Sequence, residues 1–292
     1  MNKSYIKYIS ALILFGSNGI IASHISLESY EIVFSRSLIG GLFLIAIYIL
    51  GKNRPRFLKD KKTVLCLLTS GAAMGANWLF LYEAYKEIGV SISTLACYCG
   101  PPILMALTPL IFKEKLMWPK LLGICSVLIG MFCVYGTELA KSGFSWGLVF
   151  GVLSALMYPI MVIFNKKAEN VSGFESSMSQ LVVAFLIVAL FTLIKDGGAF
   201  TIPKDSIPWI LLLGILNTGF GCYLYFSSLQ SLPANSVAVC GYFEPLSALG
   251  FSALFLHESL STVQIIGAVL VLGGAAFAEL YQSKKLKITG SK

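Results

Sequence analysis

Residues 101–116 read PPILMALTPLIFKEKL and residues 244–260 read EPLSALGFSALFLHESL. Laid together at an offset of 144 residues, they pair Pro101 with Pro245, Leu110 with Leu254, Glu114 with Glu258 and Leu116 with Leu260. The offset holds without a gap in both directions. Upstream it pairs Ser10, Ala11 and Leu12 with Ser154, Ala155 and Leu156, Glu31 with Glu175, Ser35 with Ser179, Leu42 with Leu186, Gly75 with Gly219 and Tyr98 with Tyr242. Downstream it pairs Gly123 with Gly267, Leu128 with Leu272 and Gly130 with Gly274. Leucine and alanine matches weigh little in apolar sequence, where few residue types are drawn on. The Pro, Glu and Tyr pairs carry the duplication.

Both copies are trains of apolar runs. The 292 residues are 57% apolar and 12% charged, with a mean hydropathy of +0.81, which is outside the range of a soluble domain. Stretches of about 20 residues suffice to cross the roughly 30 Å hydrocarbon core as helix. Ten are predicted, at 5–23, 30–50, 64–87, 90–112 and 117–135 in the first half and 144–164, 174–194, 206–229, 234–256 and 261–281 in the second. The runs are apolar at consecutive positions, whereas barrel strands alternate and are about half as long. The expected fold is therefore an all-α integral membrane protein.

The formal charge of +8 is a matter of topology and does not point to nucleic acid. With the N-terminus inside, the cytoplasmic side carries Lys3, Lys7, Lys52, Arg54, Arg56, Lys59, Lys61, Lys62, Lys113, Lys115, Lys120, Lys166, Lys167, Lys284, Lys285, Lys287 and Lys292. The outer loops carry Lys86, Lys141, Lys195 and Lys204, so the division is 17 to 4, with Arg36 inside a span. The positive-inside rule then puts both termini in the cytoplasm of a cell-membrane protein. Reading the first span as a signal peptide, with Lys3 and Lys7 before it and Ala22 and Ser23 after, would spoil the repeat. The seven cysteines all fall within spans and form no CxxC pair, as expected of small buried thiols.

Five spans per copy is an odd number, so the second copy enters the membrane from the opposite side. The organisation expected is two inverted repeats, 1–137 and 143–282, followed by a basic tail at 283–292. Secondary transporters built this way place the solute near the midplane between repeats and rock one against the other. The sequence resembles EamA-type members of the drug/metabolite transporter superfamily over essentially its whole length. Carrying the resemblance are the two quoted stretches, each followed by an apolar helix with Gly at a seven-residue spacing, and Arg36 early in the second span. It implies ten helices, a central cavity and the movement of small metabolites. The first copy departs from the pattern with Gly100 where the second has Glu244.

Glu244 falls at the centre of the ninth span, where an ionised carboxylate is costly and faces a partner or a water-filled cavity. Pro245 follows it, removing a backbone donor and bending the helix. One reading of Glu244 is a hydrogen-bonded structural acid; the other is a binding site for solute or proton, making a proton the candidate coupling ion. Gly71, Gly75, Trp78, Tyr82 and Tyr85 line one face of the third span, and Gly71 and Gly75 form a GxxxG close-packing signal. Asn217 and Tyr225 share a face of the eighth span with Gly214 and Gly221, and Tyr98 and Tyr242 lie near two midpoints. Aromatic rings around one acid suit a cation, so Glu244, Tyr242, Tyr98, Trp78, Tyr82, Asn217 and Tyr225 are the candidate solute-binding residues. Arg36 is expected to pair with Glu31 or Glu28; contact with an anionic group is the other reading.

Structural roles are expected for Pro101 and Pro245, and for Gly123, Gly130, Gly267 and Gly274, which share faces for close helix contact. Glu114 and Glu258 are read as architectural residues at span ends, with Ser261 and Gln264 fitting a capping box. Residues 143–147 match GxSxG, but a nucleophile elbow needs a strand before it and a helix after, plus a His and an acid. The chain also has no P-loop and no HExxH. The expectation is a transporter of small neutral, zwitterionic or cationic metabolites, such as amino acids or amines, with no enzyme activity, cofactor or metal. A proton-coupled exporter of organic cations is the alternative, and a membrane enzyme or scaffold a distant one.

Overall fold

A computed structural model describes residues 3–51, 60–113, 117–142, 145–168, 171–198, 200–255, 262–263, 265–274 and 277. The expectations for Glu114, Glu258, Ser261 and Gln264 lie outside them. The described residues are helical almost throughout, with no strand among them. In chain order the helices are α1 (Lys3–Gly16), α2 (Asn18–Ser23), α3 (Ser29–Leu50), α4 (Lys61–Cys97), α5 (Gly100–Ile111), α6 (Trp118–Ser142), α7 (Trp146–Lys167) and α8 (Gly173–Asp196). Then come α9 (Ile207–Leu212), a π-helical segment (Leu213–Phe220), α10 (Gly221–Leu229), α11 (Ala234–Cys240), α12 (Phe243–Phe255) and α13 (Ile265–Gly274).

Burial is inverted relative to a soluble protein. Leu42, Leu65, Leu110, Leu186, Ile194 and Leu254 are exposed, while Ser35, Arg36, Ser70, Asn165, Glu175, Gln180 and Asn217 are buried. In hydrocarbon every backbone polar group must be paired within its own segment, and side chains that want hydrogen bonds find them only inside the bundle. Among the described residues six helical stretches are long and apolar enough to span a membrane, with shorter apolar helices at Gly100–Ile111, Trp118–Cys133 and Ile265–Gly274. The chain is an integral membrane protein.

Four predicted spans are interrupted. The first breaks at Ser17, whose Oγ donates to Leu14 O at 2.7 Å. The fourth, expected as 90–112, is helical up to Cys97 and restarts at Gly100; the ninth, expected as 234–256, stops at Cys240 and restarts at Phe243. Pro101 and Pro245 fall just after those two breaks, where a missing N–H costs a new helix nothing. The eighth passes through the π-helical segment, where Thr218 Oγ1 donates five residues back to Leu213 O at 2.9 Å.

Helix α4 also reverses direction within its helical run. Asn77 Nδ2 donates to Cys97 Sγ at 3.9 Å and to Ser154 Oγ at 2.9 Å, whereas in a straight helix twenty residues rise about 30 Å. The membrane-spanning part of α4 is Lys61–Ile88.

Capping boxes begin α3 and α8. The Glu28 N–H donates to Glu31 Oε2 at 2.8 Å; the Ser172 N–H donates to Glu175 Oε2 at 3.1 Å and the Glu175 N–H to Ser172 Oγ at 3.2 Å. Tyr48 Oη adds a 3.0 Å bond to the buried Glu175.

Helices meet where glycine removes a side chain. A Cβ on Gly130 would fall 2.5 Å from Gly267 O, and one on Gly274 would fall 2.7 Å from Gly123 O. Between them Ser126 Oγ donates to Leu270 O at 3.0 Å. Gly71 and Gly75 lie on α8 against Gln180, Val183 and Ala184, and Gly40 lies on Gly214 and Gly219.

The basic residues sort to the two ends. At one, Lys86 pairs with Glu28 at 3.6 Å and Lys195 with Glu83 at 3.4 Å. At the other, Lys120 Nζ reaches Ser236 Oγ at 3.5 Å, Lys7 lies over the Tyr223 ring, and Lys166 bonds the carbonyls of Leu229 and Leu232.

Candidate functional site

The break between α11 and α12 builds the site. Gly241 N–H closes α11 on Val237 O at 3.0 Å, the Glu244 N–H reaches only Gly241 O at 3.3 Å, and Pro245 has no N–H to donate. Glu244 therefore stands in the first turn of α12, where the unpaired N–H groups and the helix dipole favour negative charge. The residue is half-buried within the bundle. Among the described residues no hydrogen bond to the carboxylate is made. Within its electrostatic reach are Arg36, Tyr158, Tyr225, Cys97 and Cys222.

Three tyrosines converge beside it. The Tyr8 and Tyr225 rings are 5.1 Å apart, with Phe15 5.9 Å beyond. The hydroxyl of Tyr158 interacts with those of Tyr8 and Tyr225. Tyr8 Oη donates to Val237 O at 3.1 Å, and the Tyr158 and Tyr225 oxygens are buried beside it. Tyr158 is seated on Gly100, where a Cβ would fall 2.9 Å from Tyr158 Cβ and 3.0 Å from Ala155 O. The ring occupies the room that an acid at position 100 would need, which accounts for the departure of the first copy.

Arg36 does not pair with Glu28 or Glu31, as expected from sequence. Glu28 is taken by Lys86 and Glu31 caps α3. The guanidinium carbon instead lies over the Trp78 ring, 4.4 Å from its centroid. The residue is 7% exposed and its Nε has no hydrogen-bond partner.

The remaining candidates divide. Tyr242 is fully buried, packs 6.1 Å from Tyr98 and donates from Oη to Tyr98 O at 2.8 Å, locking the two broken spans together. Asn217, on the π-helical segment, ties down the break in the first span, donating to Leu14 O and Ser17 Oγ at 2.8 Å and to Asn18 Oδ1 at 2.9 Å. Tyr82 pairs with Tyr85 at 5.3 Å, next to the Glu83–Lys195 contact at the end of the molecule. The structure thus places Tyr225 in the tyrosine cluster and Trp78 against Arg36, and sets Tyr82 apart.

Sequence reasoning missed Tyr8, Tyr158 and the Asn77–Ser154 contact. Ser154 belongs to a matched triplet at the offset of 144, the one available signal; Tyr8 and Tyr158 lie in apolar runs that set no tyrosine apart.

Ser145, the serine of the GxSxG match, is the N-cap of α7 and accepts from the Gly147 N–H at 3.0 Å. Among the described residues no group of three His, Cys, Asp or Glu side chains is placed to hold a metal.

The model of the EamA-like transporter family matches the chain twice, over residues 2–136 and 145–279. An uncharacterized transporter of Bacillus subtilis, YxxF, is 26% identical, the match covering 97% of this chain and 92% of that protein. The uncharacterized inner membrane transporter YhbE of Escherichia coli is 23% identical over 87% of this chain and 83% of its own. A transporter of Helicobacter pylori is 27% identical over 83% and 82%. A solved crystal structure superposes with a TM-score of 0.82 at 17% identity, covering 95% of this chain and 98% of the other, a likeness of fold.

Proposed function

The chain belongs to the EamA-like transporter family, and we propose that it carries a small neutral, zwitterionic or cationic metabolite, an amino acid or amine, by alternating access around Glu244. It does so as ten spans in two inverted repeats, 1–137 and 143–282, in the cell membrane, with both termini and the basic tail in the cytoplasm.

Contacts that recur at the offset of 144 support the repeat. Gly130 meets Gly267 while Gly274 meets Gly123, and Gly40 meets Gly219 while Gly75 meets Ala184. Residue i touching the counterpart of j, while j touches the counterpart of i, is what a two-fold axis produces. The capping boxes of α3 and α8 obey the same offset, and the helix breaks before Gly100 and Phe243 fall within one residue of it.

The observation that carries the function is the Glu244 carboxylate, which makes no hydrogen bond among the described residues and stands on the first turn of a helix that begins inside the bundle. Broken helices that present their ends to a midplane site are how such transporters hold solute. The aromatic groups around this acid also support the second reading, a proton-coupled exporter of organic cations.

Flux into proteoliposomes containing only this protein, challenged with amino acids, choline-like amines, quaternary cations and a sugar phosphate, tests the reading. Competition by amino acids or amines is expected. Competition by the sugar phosphate alone would overturn it.

A further inference from the structure

We propose that α11 is a latch, held shut by side chains of the first repeat at the end of the molecule that carries Lys7, Lys120 and Lys166, and that its release opens the way to Glu244 from that end. This rests on the alternating-access reading given above and adds the element that moves.

All seven residues of α11 (Ala234–Cys240) are buried, and three other helices reach its first turn. Tyr5 Oη of α1 donates to Ser236 Oγ at 3.1 Å, and Lys120 Nζ of α6 lies 3.5 Å from the same oxygen. Thr108 Oγ1 of α5 donates to Asn235 Oδ1 at 2.7 Å, and Tyr8 Oη of α1 donates to Val237 O at 3.1 Å. The donors all belong to the first repeat and the acceptors to the second. The lead-in to α11 stays with its own repeat, since Lys166 Nζ of α7 donates to Leu229 O at 3.2 Å and to Leu232 O.

Alternating access parts the two repeats at one end and then at the other, so bonds that cross between them at one end are made in one conformation and broken in the next. Hydrogen bonds between side chains suit such a contact. Water replaces each lost partner on opening, which keeps the net worth of each bond small. From Ser236 at that end, α11 runs to Gly241, whose carbonyl accepts from the Glu244 N–H at 3.3 Å. Displacing α11 therefore bears directly on the turn that carries the acid.

The clasp is not duplicated. At the offset of 144, Val149 and Val152 stand where Tyr5 and Tyr8 do, and Ile92 stands where Ser236 does. None of the three side chains has a hydrogen-bonding group. A conformation closed at the opposite end through the mirrored positions lacks these bonds, so the two conformations are unequal and the one closed at the Lys7 end is favoured without solute.

The test reads the native thiol of Cys240, buried at the last residue of α11, in the full chain with the other six cysteines replaced by alanine. A membrane-impermeant maleimide is applied, without solute, to sealed vesicles of either orientation. In the parent, Cys240 should react slowly from the Lys7 end. Tyr5→Phe and Thr108→Val each remove one bond and keep the shape of the side chain. Each should speed labelling from that end about fivefold, and the pair about twentyfold, the shift in a two-state equilibrium when one or two such bonds are lost. Ser126→Ala, which loses the bond to Leu270 O between α6 and α13, should label at the rate of the parent, whereas general loosening of the fold would speed it as well. Unchanged rates in both single variants would overturn the latch, as would rapid labelling of the parent or a rise shared by Ser126→Ala. The single variants decide the outcome if the double variant does not fold. Because labelling is read without solute, its failure leaves flux around Glu244 standing, and absent flux beside the predicted labelling would overturn the Glu244 reading and leave the motion of α11 in place.

Discussion

Position 100 carries glycine and position 244 glutamate at the same register of the duplicated sequence, and their surroundings explain the difference. Tyr158 and the Ala155 carbonyl close over Gly100, whereas Glu244 stands half-buried on the first turn of α12. Gly100→Glu should therefore destabilise by on the order of 3–5 kcal/mol, as an uncompensated charge forced into a filled site, and the detergent-purified variant should melt well below the parent. A variant as stable as the parent would show that Tyr158 does not fill that space. Tyr242→Phe should cost about 1 kcal/mol through the lost bond to the Tyr98 carbonyl, a small drop in melting temperature with flux retained. Glu244 was legible in the sequence because an acid in hydrocarbon is costly enough to need a reason. The partner of Arg36 was not, since stacking on Trp78 or pairing with Glu28 depends on how α3 is rotated against α4, and hydropathy does not encode that rotation.

At the scale of elements, α6 and α13 touch through backbone. Gly130→Leu would drive a side chain into the Gly267 carbonyl, which cannot turn aside as a side chain would, and should cost about 1–3 kcal/mol. Gly273, with open space around its Cβ position, is the control, and Gly273→Leu should melt much closer to the parent. Equal losses at the two positions would sink the close-contact account. The start of α4 offers a pH test. Asp60 accepts from Thr63 Oγ1 at 2.6 Å and from the Lys62 N–H at 3.0 Å, and the Thr63 hydroxyl chiefly holds its carboxyl below the ordinary carboxylate range. A lowered folded pKa means the stabilisation is present above the ordinary value of about 3.9 and is lost as pH falls through the folded value. Asp60→Asn should thus be less stable than the parent at neutral pH, with the gap closing on acidification; a gap independent of pH would contradict this. The six long apolar spans could be read from apolar run lengths. The π-helical segment and the break at Ser17 could not, because Asn217 joins them across about two hundred residues of sequence, and local propensity carries no such term.

On the scale of the whole molecule, the charge asymmetry and the duplication make one topology. Lys86 and Lys195 gather at the end opposite Lys7, Lys120 and Lys166, and the proposed topology, by the positive-inside rule, has the latter end facing the cytoplasm. A single cysteine at Lys204, after the native cysteines are replaced, should react with an impermeant reagent from outside; labelling from the cytoplasm alone would break the inverted-repeat argument. The duplication was legible from one offset, but the reason its halves differ at Gly100 and Glu244 was not. The difference arises from Tyr158, whose importance shows only when α7 is laid against α5. The most direct measurement of the account is solute flux in proteoliposomes for the parent and Glu244→Gln side by side across pH 5 to 9. The account predicts a glutamine variant that melts with the parent and has lost flux, its pH dependence or its affinity for solutes bearing an ammonium group. A variant as stable as the parent, with unchanged rate, affinity and pH profile, would contradict it.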